Sequence, residues 1–480
     1  MFNPYSSIRE IHKAYCEKTA TVKDVVLAHL SRISETDTCA DGLKSVIEVN
    51  PDSLFIAEML DRKMQEFDKM PVLYGIPVLL KDNINTNDKQ RTTAGSVALT
   101  DNYASYDAHI VERLRQAGAV ILGKANMTEF ANYMSRDSMP TGYSSRGGQV
   151  ISPYNRKEHP GGSSSGCGVA VAAGLCAVAI GTETAGSIIS PAGRNGIIGI
   201  KPTMGLVGRS GIIPISNTHD TAGPMARTVW DAATLLAVIA GKDPNDVATH
   251  IKNHDEHIDY TSHLSGKRLD GIRIGINRPK STSVFQVPEV SAENKAAFDR
   301  LCTLLSDAGA ILVDSIRMDF MFNMKRTMNN EFKSCLNYYL STLQGSTKMK
   351  TIKDIIEYNQ AHATTALKYG QSILFDAENN TTGSMTEASY IEGLIEREKT
   401  IVELDKVFDE NRIDVMLNEV FTNIAPFTGF PSMTIPIGQS KDTNMPLDSY
   451  WIARRFDELS LLKVCFVVEQ LLGLCLRPEI

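Results

Sequence analysis

The sequence lacks the features that mark a membrane protein, a nucleic-acid-binding protein or a metalloprotein. The apolar segment from Val169 to Ile180 is too short for a membrane span, and glycine-rich loops bound it. The formal net charge is −7, and Lys and Arg are scattered instead of forming a basic stripe. The eight cysteines form no CxxC pair and have no metal-ligand spacing with histidine. We therefore expect no membrane, no nucleic acid and no metal as a partner.

The start of the chain and its composition indicate a cytoplasmic globular protein. The first residues, MFNPYSSIREIHKAY, lack the basic and then apolar order of a secretory signal. Because the cysteines show no pairing pattern, we expect reduced thiols, which suit the cytoplasm. Apolar residues make up 42% of the chain and charged residues 22%, as in ordinary globular proteins. At 480 residues, one large domain or two domains would both fit.

The order of apolar runs predicts an α/β fold. The run GIPVLLKDN is typical of a buried strand that ends near Lys81. A helix from Asp107 to Gly118 and a second strand, Ala119 to Leu122, predict a parallel crossover. Ligands in open sheets gather at the carboxyl ends of strands, where Lys81 is expected. Further elements are predicted as follows: strands at 197–200, 272–276, 311–314, 414–417 and 432–436, helices at 22–33, 292–306 and 458–472, a long loop covering the site at 132–160, and a mainly helical region at 318–411.

Two serine loops stand out in the stretch from Gly161 to Thr203. The first loop contains GGSSSGCG, in which glycines allow a sharp turn while hydroxyl groups, including that of Ser163, crowd one place. The segment from Val169 to Ile180 is uncharged and rich in small apolar residues, so a buried helix is predicted there. The second loop ends at Ser187. A loop, helix and loop in this order would bring the two serines together although they are 24 positions apart.

Phosphate-binding patterns do not fit this stretch. A Walker-type loop needs Lys and then Ser or Thr after its second glycine, but Cys167 and Gly168 occupy those positions. The dinucleotide pattern GxGxxG fails because Val171 stands where the third glycine belongs. Nucleotide binding is therefore not expected.

A nucleophile elbow is a second interpretation. Gly162, Ser164 and Gly166 match the short pattern GxSxG, but the charged sequence NRKEHP precedes it instead of an apolar strand. His219 and Asp220 could supply a base and its orienting carboxylate, yet adjacent residues point in different directions. Both observations disfavour an elbow.

A third interpretation uses Lys81 as the base. Burial lowers the pKa of a lysine, and its neutral form can activate a serine hydroxyl. Ser163 would then pass a proton between Lys81 and Ser187, and the glycine-rich chain before Ser187 would aim N–H groups at an oxyanion. Spacing alone leaves open a glycine-rich structural turn without chemistry.

Five sequence blocks resemble the amidase signature family. They are GIPVLLKDN, GAVILGKANMTEFA, PGGSSSG, GTETAGSIISPAG and GIKPTMGLVGR, and they occur in the family's order and spacing over most of the chain. The resemblance implies an α/β fold with a large mixed β-sheet core surrounded by helices. It also implies a single domain, residues 1–480, with a signature core at about 75–240 and a helical substrate-pocket region at about 318–411.

The same resemblance implies a catalytic triad and an amidase reaction. Lys81 would be the general base, Ser163 a bridging serine on a cis peptide bond, and Ser187 the nucleophile that is acylated. Ser164 would support this network. The reaction would be hydrolysis of a linear amide through an acyl-enzyme, without a cofactor. The oxyanion hole would consist of the backbone N–H groups of Thr184, Ala185, Gly186 and Ser187.

Within the family, two stretches are most similar to bacterial peptide amidases: SSRGGQVISPYNRKEHPGGSSSG and GLVGRSGIIPISNTHDTAGPMARTVWDAA. The resemblance therefore implies a small-molecule or peptide amide as substrate and release of ammonia. Members that hydrolyse glutamine for transfer RNA amidation usually carry Arg two positions after the nucleophile, where this chain has Ile189. An apolar side chain there disfavours free glutamine, because no guanidinium can hold its carboxylate.

Two alternatives stay open at this point. One is a glutamine-hydrolysing subunit of a tRNA-dependent amidotransferase, and the other is a catalytically silent binding protein with the same fold. The sequence leaves the oligomeric state undecided.

Overall fold

Eleven strands form one mixed sheet against which the helices pack. The computed structural model describes residues 2–67, 70–251, 258–278, 290–314, 316–318 and 320–480. The strands of the described chain are β1 (Val46–Val49), β2 (Pro77–Lys81), β3 (Val120–Ala125), β4 (Tyr143–Ser144), β5 (Gly148–Gln149), β6 (Val178–Glu183), β7 (Ile198–Lys201), β8 (Thr221–Ala226), β9 (Arg273–Asn277), β10 (Ile311–Val313), β11 (Val415–Asn418), β12 (Ser432–Gln439) and β13 (Pro446–Ala453).

The sheet contains both parallel and antiparallel neighbours, which confirms the predicted mixed α/β fold. Its strand order is β1-β3-β2-β6-β8-β7-β12-β13-β11-β9-β10, and β4 and β5 form a separate small hairpin. Strand β2 is parallel to both β3 and β6, and β9 is parallel to β10 and β11. The remaining pairs in the sheet are antiparallel. The predicted parallel crossover between the first two apolar runs is therefore confirmed.

Helices cover the sheet and build an additional layer near the edge where β2 and β6 end. They are α1 (Ile8–Cys16), α2 (Val22–Thr36), α3 (Ser53–Lys63), α4 (His109–Gln116), α5 (Glu129–Asn132), α6 (Ser165–Ala172), α7 (Ile189–Arg194), α8 (Val229–Ile239), α9 (Ala292–Asp307), α10 (Lys325–Thr342), α11 (Ile352–Ala361), α12 (Ala363–Ala366), α13 (Ser372–Asn380), α14 (Ala388–Asn411), α15 (Ile424–Thr428) and α16 (Glu458–Leu472). The predicted helical region at 318–411 contains α10 to α14, and residue 319 of that range lies outside the described residues.

The prediction of one helix from Val169 to Ile180 was wrong. Helix α6 ends at Ala172, Gly174 adopts a left-handed φ of 73°, and strand β6 begins at Val178. A run of uniformly small apolar residues has no periodicity, so it fits a buried helix and a buried strand equally well. Tertiary pairing decides the outcome here, because β6 completes the sheet between β2 and β8.

The pairing of β2 with β6 determines where the two serine loops lie. Leu80 is in register with Ile180, so the carboxyl ends of these parallel strands meet at one edge of the sheet. Lys81 ends β2 at this edge, and the second serine loop leaves β6 there. All residues of both strands are buried, which gives the site a rigid and dry base.

A second apolar cluster connects the helical region to the same side of the molecule. It joins α10, α11 and α13 to Met127, Phe130, Ile213 and Ile215, which lie in the chain segments near the carboxyl edge. The helical region therefore packs over the loops that surround the serines.

Candidate active site

The amino group of Lys81 is buried among oxygen atoms at the end of β2. Its Nζ donates hydrogen bonds to Ser163 Oγ at 2.8 Å, to Thr182 Oγ1 at 2.9 Å and to the Thr182 carbonyl oxygen at 3.0 Å. The residue is fully buried, and among the residues that the structure describes none forms an ion pair with it. Burial lowers the pKa of Lys81 to about 7, although nearby acidic groups act in the opposite direction. The amine is therefore partly neutral near pH 7.

The first serine loop places two serines between Lys81 and the second loop. The peptide bond that precedes Ser163 is cis, and the Ser163 hydroxyl contacts Lys81. The Ser164 hydroxyl donates to the carbonyl oxygen of Thr182 at 3.1 Å. The Ser164 backbone N–H donates to the carbonyl oxygen of Ser187, also at 3.1 Å. These bonds tie the two serine loops together.

Two glycines allow this close approach. Gly161 has a φ of 73°, and a Cβ atom at this position would lie 2.6 Å from Cα of Pro191 in α7. Gly186 has a φ of 85°, and a Cβ atom there would lie 2.9 Å from the ring of Phe421. Any other residue would meet both a left-handed backbone and a steric clash.

The turn that ends at Ser187 presents polar groups with few partners. Ser187 is 8% exposed, and no described residue forms a hydrogen bond with its hydroxyl group. The N–H groups of residues 184–187 form no hydrogen bonds to backbone carbonyl groups of the described chain, and that of Gly186 interacts with the Glu183 carboxylate. Consecutive N–H groups of this kind create a local positive potential that can bind an oxyanion.

Glu183 fixes the chain on the far side of this turn. Its Oε2 accepts hydrogen bonds from the backbone N–H groups of Ile188 at 2.7 Å and Ile189 at 3.0 Å, where α7 begins. Burial raises the pKa of Glu183, while Lys201 and the backbone donors act to lower it. Its other oxygen, Oε1, is buried and has no hydrogen-bond partner among the described residues. The carboxylate therefore anchors both ends of a short turn.

Asp220 holds the first residue of the turn. The Thr184 hydroxyl donates to Asp220 Oδ1 at 2.6 Å, and the N–H groups of Ile215 and Ser216 donate to Oδ2 at 2.8 and 2.9 Å. The neighbouring His219 points elsewhere and bonds Thr327 Oγ1 at 2.7 Å. The two residues therefore do not form the base and orienter that a nucleophile elbow would need.

A cavity of about 580 Å³ adjoins this turn. Its wall includes Thr182 and Thr184 from the site, and Tyr338 and Tyr339 from α10. The volume falls in the range of pockets that bind small organic ligands, about 300 to 1,000 Å³. The helical region therefore supplies one side of a cavity that also borders Thr182 and Thr184, and its role as a substrate-pocket region stays a prediction.

The structure brings most of the sequence-predicted site residues together. Lys81, Ser163, Ser164 and Ser187 meet through the bonds described above, and the turn of residues 184–187 adjoins them. Ile189 is buried at 1% exposure and is not part of the cavity wall. Sequence reasoning did not identify the contacts of Thr182, Glu183 and Asp220. Two of these residues lie inside the block GTETAGS, where polar residues at the end of an apolar strand were the available signal.

Other features of the described residues bear on partners. They contain no group of three metal-ligating side chains, and all eight cysteines are free thiols. Among the helices of the described chain, none has the length and apolar character needed to cross a membrane.

The chain is similar to known proteins over nearly its whole length. The profile of the family described as Amidase matches residues 24–420. The native peptide amidase from Stenotrophomonas maltophilia is 35% identical, and its crystal structure aligns with a TM-score of 0.89 over 99% of this chain and 98% of its own. An amidase family protein from Bacillus anthracis is also 35% identical, with a TM-score of 0.92 over 99% of this chain and 92% of its own. A glutamyl-tRNA(Gln) amidotransferase subunit from Carboxydothermus hydrogenoformans is 30% identical over 97% of each chain.

Proposed function

The chain belongs to the amidase signature family of amide hydrolases, and from this premise we propose that Lys81, Ser163 and Ser187 are its catalytic triad. Ser187 is the nucleophile, Ser163 carries protons and Lys81 is the general base. The reaction cleaves a carboxamide C–N bond through an acyl-enzyme and requires no cofactor.

The hydrogen bonds of Lys81 support its role as a base. A neutral amine has two N–H donors and one lone pair, and Thr182 offers two oxygen acceptors at 2.9 and 3.0 Å. The lone pair is then directed at the Ser163 hydroxyl, 2.8 Å away. Ser163 gives its proton to Lys81 and takes the proton of Ser187 as the Ser187 oxygen attacks the carbonyl carbon.

The remaining steps use the same groups in reverse. The N–H groups of Thr184, Ala185, Gly186 and Ser187 stabilise the oxyanion of the tetrahedral intermediate. The Lys81 ammonium returns a proton through Ser163 to the leaving nitrogen, the C–N bond breaks, and ammonia leaves. Water then attacks the ester carbonyl of acylated Ser187, and the same relay restores the free enzyme. Ser164 keeps the two serine loops in contact throughout.

The substrate is a peptide amide or a related small carboxamide. The similarity to the peptide amidase of Stenotrophomonas maltophilia supports this choice, as does a cavity of about 580 Å³ beside the turn.

The single observation that carries the catalytic assignment is the buried Lys81 amine, which contacts a serine and has no ion-pair partner among the described residues.

Ammonia release tests the assignment. Purified protein is incubated with peptide amides, aryl amides, fatty amides and free glutamine, and we expect the highest rate with peptide amides. Ser187→Ala should remove all turnover and keep the fold, as measured by circular dichroism. Ser190→Ala is the matched control, because it makes the same change three residues further on and should retain activity. Ammonia release by folded Ser187→Ala would reject the assignment.

A glutamine-hydrolysing component of an amidotransferase is the second candidate. The 30% identity to the amidotransferase protein of Carboxydothermus hydrogenoformans favours it, whereas Ile189 leaves no cation to hold the glutamine carboxylate at that position. Glutamine hydrolysis by the purified chain, at a rate above that of every peptide amide, would favour this candidate over a peptide amidase.

A further inference from the structure

The cavity beside the catalytic turn has an unequal set of charges. Among the described residues of its wall, the charged side chains are Glu183, Arg209, Asp220 and Asp246. Three of these are acidic and one is basic. The partners of each side chain decide which charge is available to a ligand.

Arg209 and Asp246 satisfy each other. The Arg209 Nε and Nη2 atoms donate to the two carboxylate oxygens of Asp246, each at 2.7 Å, in a bidentate ion pair. A further guanidinium donor, Nη1, bonds the carbonyl oxygen of Asn217 at 2.6 Å. A substrate carboxylate would have to displace Asp246, so this guanidinium is not a free anion site.

Glu183 is almost fully buried, and its Oε1 has no hydrogen-bond partner among the described residues, while its Oε2 is bonded by the backbone. It accepts the N–H groups at the start of α7, and Lys201 is the basic group that acts on it most strongly. Asp220 and Glu183 both lack an ion pair with a basic side chain of the described residues, but Asp220 is half-buried, whereas Glu183 is only 1% exposed. Arg209 acts on the Asp220 carboxylate without bonding it, and this carboxylate is the more accessible of the two to a ligand.

Asp220 has one acceptor position left. An ionised carboxylate offers about four lone-pair positions, and Thr184, Ile215 and Ser216 occupy three of them. These three donors favour the ionised form, while burial raises the pKa of Asp220. A ligand ammonium group would supply a fourth donor and a direct ion pair.

We propose that the cavity holds the acyl group of the substrate and that Asp220 binds a protonated amine carried by this group. The inference rests on the proposed amidase function and names the class of amide that the enzyme prefers. Because Thr184 contacts Asp220 and also contributes an oxyanion N–H group, the carboxylate lies close to the scissile carbonyl. Amides whose acyl part carries a carboxylate are rejected by the same charge.

Isosteric substrates test this preference on the unaltered protein. The values of kcat/KM are compared for 5-aminopentanamide and hexanamide, which differ by an ammonium group in place of a methyl group. The monoamide of adipic acid supplies the anionic counterpart. Since hydrogen bonds to charged groups contribute about 1.5 to 3 kcal/mol, we expect the cationic amide to be preferred at least about tenfold and the anionic amide to be the poorest.

A second pair of comparisons identifies the source of the amine. The ratio of kcat/KM for leucinamide and N-acetyl-leucinamide tests whether an α-amino group is recognised. The ratio for N-acetyl-lysinamide and N-acetyl-norleucinamide tests whether a side-chain amine is recognised. A preference in either pair supports the proposal and names the source. If the unaltered protein hydrolyses neutral and cationic amides equally in all three pairs, the inference fails and the amidase function stands. If it hydrolyses no carboxamide at all, the amidase function itself fails.

Variants separate recognition by Asp220 from its contact with the turn. Asp220→Asn should bring the cation-to-neutral ratio of kcat/KM to about one. Thr184→Val removes the hydroxyl bond but keeps the carboxylate, so it should lower kcat for both substrates and keep the ratio. Tyr338→Phe, which alters an exposed part of the same wall, should also keep it. An Asp220→Asn variant that slows both substrates by the same factor would show that Asp220 only positions Thr184, and would overturn the proposal.

Discussion

The amino group of Lys81 lies 2.8 Å from the hydroxyl oxygen of Ser163, in a fully buried position with no ion-pair partner among the described residues. An ammonium ion in such a place has lost its water without gaining a counter-ion. Its pKa is therefore lowered by burial, to about 7. The rate of the proposed reaction should therefore depend on pH and on the hydrogen bond between Lys81 and Thr182. The stability of the fold should also depend on pH, because Lys81 loses its proton more easily in the folded chain.

The rate should follow the deprotonation of Lys81. Because the neutral amine is the base, kcat/KM for a peptide amide should rise with pH and level off above about pH 7. Below that value it should fall about tenfold per pH unit. The measurement is an ammonia assay from pH 5 to 9 on protein whose fold is verified at each pH.

Lys124 provides the control for this profile. It is also fully buried, and burial lowers its pKa to about 8, but it bonds Ile84 O and Thr92 Oγ1 instead of a serine of the site. A folded Lys124→Met variant should keep the inflection near pH 7. A rate that is flat down to about pH 5 in the unaltered protein would contradict a lysine base.

Sequence patterns predicted the position of Lys81 because the relevant signal is local. An uncharged run with flanking polar residues gives a buried strand and its end, and Lys81 indeed terminates β2. The mixed sheet and the amidase family, both implied by five sequence blocks, are confirmed. The division of residues 1–480 into a signature core and a pocket region within one domain remains a prediction.

Thr182→Val should move the pH profile to lower pH. The Thr182 hydroxyl oxygen accepts a hydrogen bond from Lys81, and it stabilises the ammonium form more than the neutral amine. Its loss should lower the pKa of Lys81 by roughly half to one unit and shift the inflection by the same amount. The plateau rate should also fall, because the amine loses one of the contacts that orient it. Thr182→Ser keeps the hydroxyl group and should behave like the unaltered protein.

Lys81→Met should remove activity and alter how stability depends on pH. The folded pKa is about 7 and the ordinary value is 10.5, so between these values the unfolded chain binds a proton that the folded chain does not. The free energy of unfolding therefore rises with pH across this window, by up to about 1.4 kcal/mol per pH unit. Below about pH 7 both the folded and the unfolded chain bind the proton, so the stability gained across the window is absent there. Lys124 and Lys201 act in the same direction, so the slope in urea unfolding should decrease without disappearing. An unchanged slope would mean that Lys81 is charged in the folded protein.

The contacts that the sequence did not predict depend on long-range pairing. The run from Val169 to Ile180 has no periodicity, and only the position of β6 between β2 and β8 shows that it ends as a strand. The bond from Thr184 to Asp220 joins residues 36 positions apart. It depends on the antiparallel pairing of β6 with β8, which no local pattern indicated. Propensity and spacing cannot supply such register, because it is set by the sheet as a whole.

Glu183→Gln should slow catalysis by loosening the turn that carries the oxyanion donors. One carboxylate oxygen accepts the N–H groups of both Ile188 and Ile189, and a neutral amide holds them less strongly. We expect kcat to fall about tenfold with a smaller change in KM, because the donors act mainly on the transition state.

Glu458→Gln is the matched control for Glu183→Gln. Glu458 is also a buried acid that acts on Lys201, but it accepts the N–H of Thr203 and does not contact the turn. Both variants should lose stability in thermal unfolding, and only Glu183→Gln should lose kcat. Equal losses of kcat in the two variants would mean that Glu183 acts through general stability instead of through the turn.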